Sequence, residues 1–181
     1  MNELSDEILM YKVKLDNLDY MTKLFNKYNN LILNYFFYMT GKMEDSQDLT
    51  QEVFLRLIKY RKSFDRQKSF KPWLYQIAKN TLINYSKSKK HNVIDFNNIN
   101  YQEIIQLEND NNNSKKDILL YESISKLPFE YKEIIVLSKF QGLKYRQIAE
   151  IFSTTEASIK NKVLRAMYKL REIYFKTEKN I

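Results

Sequence analysis

Residues 145–165, YRQIAEIFSTTEASIKNKVLR, contain two apolar runs at helical spacing, separated by the polar turn Ser153-Thr154-Thr155. Two helices joined by so short a turn form the helix-turn-helix pattern. The second helix turns its polar side chains outward: Ser158, Lys160, Asn161, Lys162 and Arg165. Lys and Arg reach phosphates or guanine edges, and Asn pairs with adenine edges. The pattern predicts a helix that contacts duplex DNA. The alternative is a plain helical hairpin with a solvated charged face.

The rest of the C-terminal half is also predicted to be helical. One helix covers residues 118–126, and the break at Leu127-Pro128 precedes a second one that ends at Gln141-Gly142. Glycine is favoured just after a helix because it adopts the left-handed conformation. The helix that begins at Glu156 is expected to run to Tyr174. Its buried side is predicted to contain Ile159, Val163, Ala166, Met167 and Leu170.

Three further helices are predicted in the N-terminal half. Apolar residues at helical spacing from Leu18 to Met39 indicate one long helix or two in series. Asp45 or Ser46 is a suitable N-cap for the next helix, and Ser69 for the third. With only 2 Gly and 2 Pro in 181 residues, hairpin-rich sheets are disfavoured. The expected fold class is all-α.

The third helix has a polar side as well as an apolar one. Phe70, Trp73, Leu74 and Ile77 share the apolar face, whereas the opposite face is predicted to show Lys71, Tyr75, Lys79, Asn80, Ile83, Asn84 and Lys87. Aromatic rings among basic residues suit unpaired bases, which stack on them for ~1–3 kcal/mol each. Phe64 stands in the polar segment before this helix. Core packing is the main role expected for Trp73.

Charge is distributed in blocks. Residues 45–90 carry 11 Lys and Arg against 4 Asp and Glu, and residues 142–181 carry 9 against 4. Between them, residues 91–117 carry a net −3. Two basic blocks predict two separate anion-binding surfaces. The acidic, Asn-rich stretch is interpreted as a flexible linker, residues 91–115, between domains at 1–90 and 116–181.

Several function classes are disfavoured by composition. The chain has no Cys and a single His, so thiolate sites and sites with two histidines are excluded. A membrane span requires ~18 apolar residues in a row, which no stretch approaches. We therefore expect a cytoplasmic protein without membrane insertion, cofactor, metal or enzymatic activity. A nuclease that uses Asp45, Asp48 and Glu52 as metal ligands is the enzymatic alternative.

Two ordered motifs resemble extracytoplasmic-function (ECF) sigma factors of bacterial RNA polymerase. Asp48-Leu49-Thr50-Gln51-Glu52-Val53-Phe54-Leu55-Arg56, followed by residues 69–80, SFKPWLYQIAKN, resembles their second conserved domain. Leu127-Pro128, GLKYRQIAE at 142–150 and SIKNKV at 158–163 resemble their fourth domain. The resemblance covers roughly residues 18–175. It implies a subunit that directs transcription initiation, with core polymerase, promoter DNA and an anti-sigma protein as partners.

The resemblance implies a role for each set of residues. Contacts to the β′ clamp of the polymerase fall on Asp48, Gln51, Glu52 and Arg56, and the β flap is a second polymerase contact. Capture of the separated −10 strand falls on Phe64, Lys71, Tyr75, Lys79, Asn80, Ile83 and Asn84. Recognition of the −35 duplex falls on Ser158, Lys160, Asn161, Lys162 and Arg165.

The turn departs from the family pattern. Ser153 stands where glycine is frequent, and Thr154 where an apolar residue is frequent, so the turn geometry is not predicted. The C-terminal motif alone also fits a second interpretation. A helix-turn-helix regulator that binds duplex operators without polymerase has the same motif, but the basic, aromatic N-terminal block has no role in it.

Overall fold

The structure, a computed structural model, describes residues 4–88 and 115–179, and every regular element in these ranges is helical. The predicted all-α class is confirmed. The described residues form two compact units, 4–36 with 44–88 and 37–43 with 115–179. The predicted linker lies outside the described residues, apart from Lys115. The boundaries 1–90, 91–115 and 116–181 therefore stay predictions.

The first unit is built from helices with buried apolar faces. The helices within residues 4–88 are α1 (Asp6–Lys14), α2 (Asp19–Thr40), α3 (Met43–Lys59), a 3-10 turn (Arg61–Ser63) and α4 (Phe70–Ser88). Residues 37–43, at the end of α2 and the start of α3, are grouped with the second unit. The apolar repeat of α2 is one continuous helix, and its Tyr28 and Tyr35 are buried. Tyr28 packs on Phe70 and Tyr35 on Tyr75, with ring centroids 5.3 and 5.8 Å apart. α1 lies outside every helix predicted from the sequence.

The junction between α2 and α3 is shorter than predicted. Gly41 adopts a φ of 71°, which ends α2 in the left-handed conformation that glycine permits. α3 then begins at Met43, before the caps predicted at Asp45 or Ser46. Ser46 instead lies inside the helix, and its carbonyl accepts a hydrogen bond of 2.7 Å from the Thr50 hydroxyl.

The second unit is a smaller helical bundle. Its helices are α5 (Lys115–Ser125), α6 (Phe129–Ile135) with a π-helical continuation (Val136–Phe140), α7 (Tyr145–Ile151) and α8 (Glu156–Glu178). Pro128 is the N-cap residue of α6, and Gly142 follows the π-helical segment at a φ of 62°. The core is formed by Ile124, Leu127, Ile135, Ala166 and Leu170.

Two features of this unit differ from ordinary burial patterns. Met167 is 41% exposed, so its predicted place on the buried side of α8 is wrong. Lys132 and Glu133, two charged neighbours on α6, are each only 2% exposed. Burial lowers the pKa of Lys132 to about 8, because a low-dielectric environment disfavours the ammonium form. Within the described ranges, no helix is long and apolar enough to cross a membrane.

Candidate nucleic-acid interface

The helix-turn-helix is present where the sequence predicts it. α7 and α8 are joined by residues 152–155, and Ile148, Ala149, Ile159 and Val163 are buried. The turn is closed by Thr154 N–H, which donates to the Ala149 carbonyl at 3.0 Å. Ser153 occupies the left-handed region at a φ of 50°. This conformation gives the glycine preference at this position a physical cause, since a Cβ is disfavoured there.

The polar face of α8 is accessible from its first turns. Thr155 caps the helix by accepting a hydrogen bond of 3.2 Å from Ser158 N–H. Lys160, Asn161 and Arg165 are exposed. None of these three side chains has a hydrogen bond or ion pair within the described ranges. The face is therefore available to phosphates and base edges without breaking an internal contact.

The two other predicted residues of this face are less accessible. Ser158 is half-buried. Lys162 is also half-buried, and its ammonium lies 3.6 Å from the Glu130 carboxylate of α6. A surface ion pair of this kind contributes ~0–1 kcal/mol, so it competes only weakly with a phosphate. Lys162 therefore remains a candidate contact, whose charge is partly offset before DNA arrives.

A second candidate face lies on α4. Asn80 and Asn84 are exposed, whereas Lys79 and Ile83 are half-buried beside them. The spacing of these four residues places them on one side of the helix. Gln76 donates a weak 3.4 Å hydrogen bond to the Asn80 side-chain oxygen. The strip offers amide groups for base edges next to one ammonium and one apolar surface.

Lys71 lies at the start of the same helix and is also half-buried. Burial lowers the pKa of its ammonium, and nearby Lys27 acts in the same direction. Asp6 opposes the shift by favouring the charged form. The ammonium of Lys71, which precedes the strip on the same helix, is thus influenced by the charges of Asp6 and Lys27.

Phe64 and Tyr75 differ from expectation. Tyr75 is 1% exposed, so its predicted outward orientation on α4 is wrong. Phe64 is fully buried, with its ring centroid 5.1 Å from that of Trp73. Burial raises the pKa of the Tyr75 hydroxyl far above its usual value. Neither ring is available to a base in this conformation.

The connection between α3 and α4, residues 60–69, is here called the α3–α4 loop. Its outer residues Arg66, Gln67, Lys68 and Ser69 are exposed. An internal turn orders it: Lys68 N–H donates to the Asp65 carbonyl at 3.0 Å, and Gln67 N–H to the Asp65 side chain at 3.0 Å. The loop therefore has a defined conformation in the described structure.

The predicted polymerase contacts share one edge of α3. Asp48 and Gln51 are exposed, while Glu52 and Arg56 form an ion pair of 2.6 Å one helical turn apart. Asp45, an alternative metal ligand in the nuclease interpretation, accepts a hydrogen bond from the Tyr85 hydroxyl. Within residues 4–88 and 115–179, no group of three acidic or His side chains is arranged to hold a metal ion.

Comparison with known proteins separates the interpretations that the motifs leave open. The family model of sigma-70 region 2 matches residues 24–92, and that of sigma-70 region 4 matches residues 117–170. The RNA polymerase sigma factor YlaC of Bacillus subtilis is 30% identical over 85% of this chain and 91% of its own length. The ECF RNA polymerase sigma factor SigM of the same organism is 29% identical over 84% and 93%.

The chain belongs to the ECF group of the sigma-70 family. It is thus a sigma subunit of RNA polymerase, and its two helical units correspond to regions 2 and 4. The fold agrees with two solved structures. CnrH, solved with the cytosolic domain of CnrY, has a TM-score of 0.73 at 18% identity over 93% of this chain and 96% of that one. RpoE of Bartonella quintana, solved with the anti-sigma factor NepR, has a TM-score of 0.65 at 19% identity over 86% and 96%.

This sigma factor carries the helix-turn-helix within its region 4 match and the α4 strip within its region 2 match. Predictions based on motifs included all residues of both faces. They did not include the helix α1, which precedes the region 2 match. The available signal was Ser5 followed by the acidic residues Asp6 and Glu7. Ser5 caps α1, and acidic residues in the first turn stabilise a helix.

Proposed function

We propose that this sigma factor makes two DNA contacts and one clamp contact, each through a different helix. α8 binds the −35 duplex through Lys160, Asn161 and Arg165, assisted by Ser158 and Lys162. α4 and the α3–α4 loop bind the separated −10 strand. The charged edge of α3 binds the β′ clamp of the polymerase, and the β flap is the second polymerase contact.

The accessible face of α8 is the observation that supports the −35 contact. Its three exposed polar side chains follow a capped N-terminus and make no internal hydrogen bond or ion pair in the described ranges. A helix that enters the major groove contacts base edges through its N-terminal residues. Lys160 and Arg165 also bring the positive charge that phosphate binding requires.

The α4 strip supports the −10 contact. Melting duplex DNA costs about 1.4 kcal/mol for each stacked step. Binding of the separated strand by Lys79, Asn80, Ile83 and Asn84 offsets part of this free energy, so the open state is favoured over the closed one. Lys71 adds charge at one end. Base contacts by Phe64 and Tyr75 require these rings to leave the core first.

The remaining parts of the proposal concern setting and regulation. The mechanism uses binding free energy alone, without covalent chemistry or a cofactor, so the protein is a regulatory subunit and not an enzyme. Its place of action is the cytoplasm, where polymerase and promoter DNA are found. An anti-sigma protein is the third partner, as in the RpoE–NepR complex.

Run-off transcription tests the proposal directly. Core polymerase is incubated with and without this protein on genomic promoter fragments from its source. We expect start sites that appear only when the protein is present, and their aligned upstream sequences would define the −35 and −10 elements. Absence of both new transcripts and core binding would overturn the proposal and favour a regulator that binds duplex operators alone.

A further inference from the structure

The first helix, α1, has an apolar side that is fixed in the core of the first unit. Leu9, Met10 and Val13 are at most 6% exposed. A polar contact at its N-terminal end adds to this attachment. The Asp6 carboxylate accepts hydrogen bonds from the Tyr28 hydroxyl at 2.6 Å and the Lys27 ammonium at 2.7 Å, both on α2. α1 is therefore held in place by residues that do not belong to the α3–α4 loop.

The other side of α1 carries Glu7, Tyr11 and Lys14, spaced four and three residues apart on one helical face. All three side chains contact the α3–α4 loop or its border with α4. The Lys14 ammonium donates to the Phe64 carbonyl at 2.6 Å, near the start of the loop. At its end, Phe70 N–H donates to the Glu7 carboxylate at 3.1 Å.

The middle of the loop is contacted by the third residue. The Arg66 guanidinium lies 4.8 Å from the centre of the Tyr11 ring, within the range of a cation–π interaction. Just after α1, the Asp16 carboxylate pairs with Arg61 at 2.8 Å and with Lys62. Every contact joins residues 45 or more positions apart in sequence, so the loop meets α1 and Asp16 only in the folded unit.

We propose that α1 positions the α3–α4 loop for capture of the separated promoter strand, with Glu7, Tyr11 and Lys14 as positioning residues. The inference rests on the proposed role of this loop in −10 binding. Glu7 and Lys14 fix backbone atoms at its two ends, and Tyr11 restrains the Arg66 side chain. Hydrogen bonds of backbone groups to charged side chains contribute more than neutral ones. Preorganisation of the loop lowers the entropy lost when a strand binds.

Hydrogen exchange in the free protein tests the structural half of the proposal without any DNA. Lys14→Met removes the ammonium, and Lys14→Arg retains a cationic donor. Lys23→Met is the matched control, because it removes one positive charge from an exposed lysine of α2 whose ammonium lies 5.7 Å from the Tyr20 ring of the same helix. We expect amide exchange in residues 64–70 to become about tenfold faster in Lys14→Met only. Unchanged exchange in this segment would overturn the positioning role of Lys14.

Strand selection tests the functional half. Holoenzyme formed with each variant is titrated with single-stranded oligonucleotides that carry the −10 element found by run-off transcription and each of its single-base changes. In Lys14→Met, and separately in Tyr11→Leu, we expect about tenfold weaker binding of the preferred strand and a smaller ratio between preferred and changed strands. Lys14→Arg, Tyr11→Phe and Lys23→Met should retain both values.

The ratio between strands separates positioning from loss of folded protein. A variant that is only less stable binds all strands less well by one common factor and keeps the ratio, and this result in both Lys14→Met and Tyr11→Leu would overturn the inference. Failure of the wild-type holoenzyme to bind any −10 strand would instead remove the proposed function, and the inference with it. If both variants kept the wild-type ratio between preferred and changed strands, the inference would be contradicted and the proposed function would stand.

Discussion

Ser153 holds a left-handed backbone conformation, with a φ of 50°, in the turn of the helix-turn-helix. This conformation costs an L-residue ~1–2 kcal/mol, whereas glycine adopts it freely but loses ~0.4–1 kcal/mol through its more flexible unfolded chain. We therefore expect Ser153→Gly to raise the free energy of unfolding by about 0.5–1 kcal/mol in urea titrations. Ser153→Ala retains the Cβ and should bring no such gain. An equal gain in both variants would show that the hydroxyl, not the backbone, is responsible.

Gly142, just after the π-helical segment, is a glycine that already occupies the left-handed region. A Cβ at this position would meet no atom within 4 Å, so only the φ of 62° opposes substitution. Gly142→Ala should lower the free energy of unfolding by about 1 kcal/mol, while Gly142→Asn should lower it less because Asn tolerates this conformation. Chemical unfolding followed by circular dichroism measures both. Similar losses in the two variants would contradict the conformational explanation.

Arg165 is exposed on α8 and has no internal polar contact in the described ranges. Arg165→Ala should weaken binding of the −35 duplex by ~1–3 kcal/mol if the side chain pairs with a base edge, and should relax specificity at one position. Lys169→Ala is the matched control, because Lys169 lies one turn further along α8 and pairs with Glu172 at 3.0 Å. Fluorescence anisotropy on holoenzyme compares them. Equal losses in both variants would assign Arg165 to phosphate binding alone.

Single-residue burial was predicted less well than helical faces. Phe64 was expected at the surface because it stands in a polar segment, and Tyr75 because helical periodicity placed it opposite the apolar face of α4. α4 is in fact buried over a wide arc, since Leu74, Tyr75, Ile77, Ala78 and Leu82 are all at most 9% exposed. A periodicity argument assigns one apolar face to a helix, whereas α4 also packs against α1, which the sequence analysis did not contain.

At the scale of elements, the longest helices were predictable because their apolar repeats extend over several turns. α2 and α8 agree with the prediction at their N-terminal ends to within one residue. α1 has only nine residues, and Leu9, Met10 and Val13 cover too few turns to establish a period. A helix this short is stabilised by packing rather than by intrinsic propensity. Its contacts with the α3–α4 loop therefore could not be predicted from the local sequence.

The outward strip of α4 gives a prediction for promoter opening. Asn80 is exposed and has only a weak contact with Gln76. Asn80→Ala should slow open-complex formation about tenfold, because one base-edge contact to the separated strand is lost, and should leave core binding unchanged. Asn26→Ala removes another exposed Asn, from α2, and should affect neither step. Permanganate reactivity of the promoter reports opening. Equal loss of opening and core binding would indicate a folding defect instead.

At the scale of the whole molecule, the charge blocks predict two separate anion-binding faces, one in each unit, and this stays a prediction. The sequence could not show how the buried ionisable side chains are distributed between the units. Lys132 lies in the core of the second unit, whereas the strongly shifted tyrosines, Tyr28 and Tyr75, lie in the first. Burial is the main cause that raises the pKa of both tyrosine hydroxyls far above 10. Burial also lowers the pKa of Lys71 in the first unit, so lysine burial raises the stability of both units as pH rises, whereas the tyrosines lower that of the first unit above pH 10.

For Lys132 the folded pKa of about 8 lies below the unfolded value of 10.5. Between these two values the unfolded state binds more protons than the folded state, so stability rises with pH. We expect the second unit to gain about 2 kcal/mol from pH 7 to 9.5, at 1.36 kcal/mol per pH unit above 8. Lys132→Met should lack this gain, whereas Lys126→Met, which removes an exposed lysine, should keep it.

The two units can be observed separately because the single Trp, Trp73, lies in the first. Circular dichroism follows unfolding of both units, and tryptophan fluorescence follows only the first. Below pH 10 the tyrosines stay protonated in both states and contribute no slope, but above pH 10 ionisation of the unfolded tyrosines lowers the stability of the first unit. The part of the rise from pH 7 to 9.5 that Lys132→Met abolishes should therefore appear by dichroism and not by fluorescence. A Lys132-dependent rise in both signals would mean that the units unfold as one, and its absence from both would contradict the burial of a charged Lys132.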